Sequence, residues 1–108
     1  MTEQDRKFMR RAIELARQGI EENAGGPFGC VVVRNGEIIG EGNNRVTSLN
    51  DPTAHAEIIA LRQACKSLNS FQLDGCTIYT SCEPCPMCLG AIYWARPAKV
   101  FYACDRAD

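Results

Sequence analysis

One histidine, His55, and a cysteine pair beginning thirty positions later, Cys85 and Cys88, constrain this chain more than any other feature. An imidazole and two thiolates are zinc ligands, and three protein ligands leave one corner of a tetrahedral ion open, as catalytic sites do. One ion can be gripped only if the two segments meet in space. Each segment reads as the start of a helix, so the fold must bring two helix N-termini together. Those ends carry partial positive charge and free N–H groups, which lower thiolate pKa values. Cys85 and Cys88, three apart, share one helical face. Glu57 lies two residues from His55 and points elsewhere around its helix, so it is placed to exchange protons with water at the open corner rather than to ligate. A lone CxxC or a lone histidine is a weak signal; the joint pattern His55-x-Glu57 with Pro84-Cys85-x-x-Cys88 is a strong one. The competing structural reading is a closed zinc site, with Cys82 or a group from a second chain as fourth ligand.

The hydrophobic pattern supplies the frame. Phe8, Met9, Ala12, Ile13, Leu15, Ala16 and Ile20 recur at helical spacing and predict a helix from Asp5 to about Asn23, with Thr2 and Asp5 as a capping box. Gly25-Gly26-Pro27 ends it. Gly29 to Arg34 reads as a strand, Asn35-Gly36 as a hairpin turn, and Glu37 to Gly42 as the returning strand. Asn43 to Pro52 reads as loop. Thr53 is the expected N-cap of a helix over Ala54–Leu68, whose buried stripe is Ile58, Leu61 and Cys65, flanked by Ile59 and Leu68. Cys76 to Ser81 is a third strand. A helix then runs to Ala95 with Pro86 in its first turn, and Val100 to Ala103 is a fourth strand. Strand–helix–strand–helix–strand after the hairpin favours parallel pairing in an α/β sandwich.

With 108 residues, 45% hydrophobic and 23% charged, the chain suits one soluble domain over residues 1–108. No apolar run is long enough for a membrane span, and no secretory leader is visible, so a cytoplasmic location is expected. The net charge of −1 and the lack of a basic stripe argue against a large nucleic-acid partner. Seven cysteines without a leader argue against a disulfide framework. Cys30, Cys65, Cys76 and Cys104, set among apolar or strand-like neighbours, are expected as buried structural thiols.

The zinc segments match the deaminase signature H-x-E…P-C-x-x-C. Together with Gly26-Pro27-Phe28-Gly29, Asn50-Asp51-Pro52-Thr53-Ala54-His55-Ala56-Glu57 and Tyr79 through Arg96, they make the chain resemble the cytidine deaminase superfamily over nearly its whole length. The narrower pieces, Pro27-Phe28-Gly29 and Ile92-Tyr93-Trp94-Ala95-Arg96, resemble small bacterial guanine deaminases. The tRNA adenosine deaminases are similar too, but carry a small aliphatic residue where Phe28 stands and His-Ser-Arg where Trp94-Ala95-Arg96 stands.

The resemblance implies a three-layer α/β/α cytidine-deaminase-like sandwich, here with about four strands and three helices and without the C-terminal part of the family fold. It implies one zinc per chain on His55, Cys85 and Cys88, with Glu57 as proton shuttle. It implies substrate contacts from Phe28 (stacking), Asn44 (hydrogen bonding), the Ala56 N–H and the segment at Trp94, and gives Glu83 the part of a helix-entry carboxylate. The implied reaction is hydrolysis of guanine to xanthine and ammonia, with Glu57 moving protons between water, a ring nitrogen and the leaving amine. A homodimer is expected, because the last strand leaves a sheet edge. The alternatives are a tRNA adenosine deaminase, a deaminase of cytosine, deoxycytidylate or a riboflavin precursor, and a zinc-stabilised binding module without turnover.

Overall fold

The structure, a computed structural model, describes residues 1–105; the last three residues of the expected 1–108 domain lie outside the described residues. Helix α1 spans Glu3–Glu21, starting two residues before the expected Asp5. Its start is fixed by a complete capping box: the Asp5 N–H donates to Thr2 Oγ1 at 3.0 Å, and the Thr2 N–H donates to Asp5 Oδ2 at 2.9 Å. Phe8, Met9, Ala12, Leu15, Ala16 and Gly19 face inward, whereas Ile13 and Ile20, expected on that stripe, face solvent.

Strands β1 (Gly29–Arg34) and β2 (Glu37–Asn43) form the expected hairpin. Asn35 and Gly36 both have positive φ (51° and 77°), the geometry of a tight primed turn. The register shifts between Val32 and Val33, leaving Ile39 as a bulge. A short helix, α2 (Val46–Leu49), occupies part of the segment expected as loop. Helix α3 covers Ala56–Leu68, β3 Thr77–Thr80, α4 Pro86–Ala95 and β4 Lys99–Tyr102.

The sheet order is β2-β1-β3-β4. Strand β4 pairs parallel to β3, as the crossover through α4 requires. Strand β3, however, pairs antiparallel with β1. Strands β2 and β3 thus run the same way without touching, because the hairpin folds β1 in between.

Strand β1 is buried on both faces and alternates with period two. Val31 and Val33 pack with Phe8, Met9, Ala12, Leu15 and Tyr79 under α1. Cys30 and Val32 pack with Ala56, Ala60, Ala64, Leu73, Ile78 and Ile92 under α3 and α4. The result is the expected three-layer α/β/α sandwich, with four helices among the described residues.

The inner stripe of α3 departs from the expected Ile58, Leu61 and Cys65. Its buried residues are Ala56, Glu57, Ala60, Leu61 and Ala64, with Ile58 and Cys65 only half-buried. The reason is close approach. A Cβ on Gly40 would lie 2.4 Å from the Ala60 carbonyl oxygen, and one on Gly42 would lie 2.5 Å from that of Ala56. Glycines on the strand and alanines on the helix let α3 settle directly on β2. Cys30 and Cys76 are buried as expected, but Cys65 and Cys104 are only half-buried.

Candidate metal centre and substrate cleft

Both metal segments sit at the lip of a helix. His55 is the N-cap of α3, with extended backbone (φ −73°, ψ 158°), not a first-turn residue. Thr53, expected as the cap, instead closes a local turn: its N–H and hydroxyl both donate to Asp51 Oδ1, at 2.8 and 2.7 Å. Cys85 is likewise the N-cap of α4, with Pro86 at the first helical position, where the missing N–H costs nothing. Neither cap side chain bonds its own helix, and all three donors turn toward one another.

His55 Nδ1 lies 3.6 Å from Cys85 Sγ and 3.5 Å from Cys88 Sγ. A tetrahedral zinc with Zn–S of about 2.3 Å and Zn–N of about 2.05 Å sets sulfur and nitrogen about 3.55 Å apart. The donor set therefore fits zinc in spacing as well as chemistry, with Nε2 left to carry the imidazole proton. Among the described residues these three form the one group of at least three such side chains placed to hold a metal ion. Cys82 does not join it; its thiol lies 3.8 Å from the carbonyl oxygen of Asp105.

Glu57 is 6% exposed at the start of α3. Burial pushes its carboxyl above the ordinary carboxylate range, partly offset by its own backbone N–H, the charge of His55 and a hydrogen bond with Cys88. Burial, with the Glu57 and Cys85 charges beside it, also pushes the Cys88 thiol up. Metal binding at this thiol must therefore displace a proton.

The donors open into a cleft of about 280 Å³, lined by Phe28, Asn44, His55, Glu57, Cys82, Glu83 and Cys85. That is near the small end of ligand pockets, about 300–1,000 Å³. Asn44 Oδ1 accepts the Val46 N–H at 3.1 Å, which leaves the Asn44 amide N–H₂ as its donor toward the cleft. The Asn44 N–H in turn donates to the Phe28 carbonyl at 3.2 Å, so the two wall residues are tied together. A Cβ on Gly25 would lie 2.4 Å from Asn44 Oδ1; only glycine lets this loop pass so close.

Phe28, Asn44, His55, Glu57 and Cys85 thus converge as the sequence suggests. Neither the Ala56 side chain nor Trp94 lines the cleft. The Ala56 side chain is buried in the core under α3, because its position on the helix faces Gly42. Trp94 is 74% exposed on the outer face of α4, edge-on to Tyr93 at 6.1 Å. Cys82 and Glu83 are wall residues that the sequence offered only as a candidate ligand and a helix-entry carboxylate. Their place just before Pro84, on the loop that delivers Cys85, is the signal that predicts it.

Residues 2–104 match the family model of the cytidine and deoxycytidylate deaminase zinc-binding region. The chain is 62% identical over 101 residues to the guanine deaminase of Bacillus subtilis, covering 94% of this chain and 65% of that protein. A solved structure of a Bacillus subtilis guanine deaminase superposes with a TM-score of 0.95 at 59% identity, covering 100% of this chain and 68% of that one. A tRNA-specific adenosine deaminase of Aquifex aeolicus is 41% identical over 96 residues, covering 89% of this chain and 63% of that protein. The chain therefore spans just under two thirds of the length of these two curated relatives. With the zinc-spaced donors of His55, Cys85 and Cys88 at one end of this sandwich and a family match running from residue 2 to residue 104, the chain belongs to the zinc-binding cytidine and deoxycytidylate deaminase family.

Proposed function

We propose that this chain carries the catalytic zinc domain of a purine-base deaminase, hydrolysing guanine to xanthine and ammonia in cytoplasmic guanine catabolism. The observation that carries the reading is the buried Glu57 carboxylate beside the His55–Cys85–Cys88 donors, at the floor of a base-sized cleft. The 62% identity to a guanine deaminase, against 41% to a tRNA adenosine deaminase, supports the choice of substrate.

In this reading His55, Cys85 and Cys88 hold one zinc ion. When bound, zinc supplies Lewis-acid chemistry that brings the ionisation of water toward neutral pH. Glu57 takes the proton released from the attacking water and delivers it to a ring nitrogen as C2 of guanine becomes tetrahedral. The carboxylate then takes the proton of the new C2 hydroxyl and hands it to the departing amine, so the C2–N bond breaks and ammonia leaves as the C2 carbonyl forms. Its raised affinity for a proton suits both steps. Phe28 stacks on the ring and helps exclude water, and the Asn44 amide donates to an acceptor on the base edge. The Ala56 N–H, at the open N-terminus of α3, points its partial positive charge toward developing negative charge.

Trp94 fits a different role. With Tyr93 (63% exposed) and Leu89 (56%) it forms an apolar face on α4, and Gly90, one turn before Trp94, has nothing within 4 Å of its missing Cβ. A second copy crossing there can seat Trp94 over Gly90, which supports a homodimer. Among the described residues no helix is long and apolar enough to cross a membrane.

The test is ammonia release from guanine, adenine, cytosine and cytidine, with metal content and solution mass measured on the same sample. Turnover of guanine by a zinc-loaded protein is expected. A zinc-loaded protein that binds bases but releases no ammonia would replace the enzyme with a binding module.

A further inference from the structure

The cleft is assembled from two pieces of chain. Phe28 and Asn44 come from the ends of the β1–β2 hairpin, whereas Cys82, Glu83 and Cys85 come from the β3–α4 connection. Something must hold the base-stacking wall at a fixed distance from the metal loop. The β1–β3 ladder ends at Cys30 and Thr80, and the next pair outward is Gly29 and Ser81. One rung of that pair is ordinary: the Ser81 N–H donates to the Gly29 carbonyl at 2.9 Å. The other is not made by backbone. The Ser81 carbonyl accepts the Cys104 thiol at 3.4 Å, and the Gly29 N–H donates to Ser81 Oγ at 3.0 Å instead.

The hydroxyl thus stands in for a carbonyl. This lets the chain splay away from β1 after Ser81 without orphaning the Gly29 donor, and the splayed residues are the cleft wall. The Thr80 hydroxyl donates to the Cys82 carbonyl at 3.0 Å and fixes the same bend. On its other side Gly29 is jammed against α1, where an added Cβ would lie 2.0 Å from the Ala12 carbonyl oxygen. Gly29 is thus held between α1 on one side and Ser81 on the other, with Phe28 attached to it.

We propose that Ser81 is a positioning residue for substrate: its hydroxyl latches the Phe28 wall to the loop carrying Cys85 and thereby sets the width of the cleft. The proposal rests on the purine-deaminase reading of that cleft. It predicts an effect on base binding rather than on chemistry. Stacking on Phe28 is made alike in the ground and transition states, and its loss raises KM while leaving kcat in place.

The test compares Ser81→Ala and Ser81→Thr in the full chain. Ser81→Ala is expected to raise the KM for guanine about three- to tenfold, the scale of one lost hydrogen bond. Its kcat should stay within about twofold, its zinc content should not change, and the Gly29 amide should lose protection against hydrogen exchange. Ser81→Thr, which keeps the hydroxyl, should restore both KM and protection. An unchanged KM in Ser81→Ala, with or without a lower Tm, overturns the proposal, as does a joint fall of kcat and zinc content. Should Ser81→Ala fail to fold, Ser81→Val against Ser81→Thr isolates the hydroxyl, and equal KM values would refute the latch. Wild-type protein that releases no ammonia from guanine would remove the functional reading alone, while Gly29 exchange in wild type and variant still decides the latch.

Discussion

The start of α1 and the starts of α3 and α4 solve the same problem in opposite ways. Every helix leaves its first N–H groups without partners. At α1, Thr2 and Asp5 cap each other in full, and Asp5 also accepts the Tyr79 hydroxyl at 2.5 Å. At α3 and α4 the cap positions are occupied by His55 and Cys85, which make no capping bond and face the shared metal position. One terminus is built for stability. The other two leave their caps unmade, and keep positively polarised ends where thiolates and a reacting anion gain from them.

The sharpest way to break this comparison is to remove a donor. Cys85→Ala should lose zinc and, with it, all detectable turnover, because two remaining donors cannot hold the ion against water. Plasma emission on the purified protein, together with Tm before and after a chelator, checks it. Wild type should lose stability with chelator and Cys85→Ala should not respond. Retention of one zinc per chain would show that His55, Cys85 and Cys88 are not the ligand set. Next in size is Glu57→Gln, which should keep zinc yet cut kcat by about 10²–10⁴, the usual worth of a positioned general acid–base. A variant with ordinary kcat would strip Glu57 of its assigned role.

The third change inverts the comparison. His55→Asn places a good capping side chain on backbone already in the extended cap conformation. Zinc binding should vanish, while the metal-free variant should be more stable than metal-free wild type by about 0.5–2 kcal/mol. Denaturant melts of both chains, stripped of metal, measure the difference. Equal or lower stability would mean that the unmade cap costs the fold nothing.

How much of this was legible depends on the range of the interaction. The hairpin followed from Asn35-Gly36, and the α1 cap from Thr2 and Asp5, because both are local chemistry. The metal group was legible because only a few side chains bind zinc, and His55, Cys85 and Cys88 announce themselves by type. The placement of β1 between β2 and β3 was not, since nothing local distinguishes a strand that pairs on one edge from one that pairs on both. The burial of Ala56, Ala60 and Ala64 in place of Ile58 depends on Gly40 and Gly42 of another element, and periodicity within one helix cannot see it. Helix α2 was missed because four residues carry no period. Trp94 was drawn toward the cleft by resemblance, whereas exposure on α4 is a property of the folded surface.

The smallest expected effect tests the well-capped end. The Tyr79 hydroxyl, then the Thr2 backbone N–H, hold the Asp5 carboxyl below its ordinary value of 3.8. A carboxyl with a depressed folded-state pKa stabilises the fold above its unfolded value, and that contribution is lost as pH falls through the folded value. Asp5 therefore adds stability that is fully present near neutral pH and fades only in acid below about pH 4. Asp5→Asn should lower Tm at pH 7 and flatten the acid limb of the Tm–pH curve, while KM, kcat and zinc content stay at wild-type values. The two curves should converge in strong acid, where the wild-type carboxyl is itself protonated. A constant Tm offset across pH 2–7 would assign the loss to shape rather than charge. A change in kcat would show that α1 reaches the cleft through Gly29 more strongly than the separation between stabilising and functional caps allows.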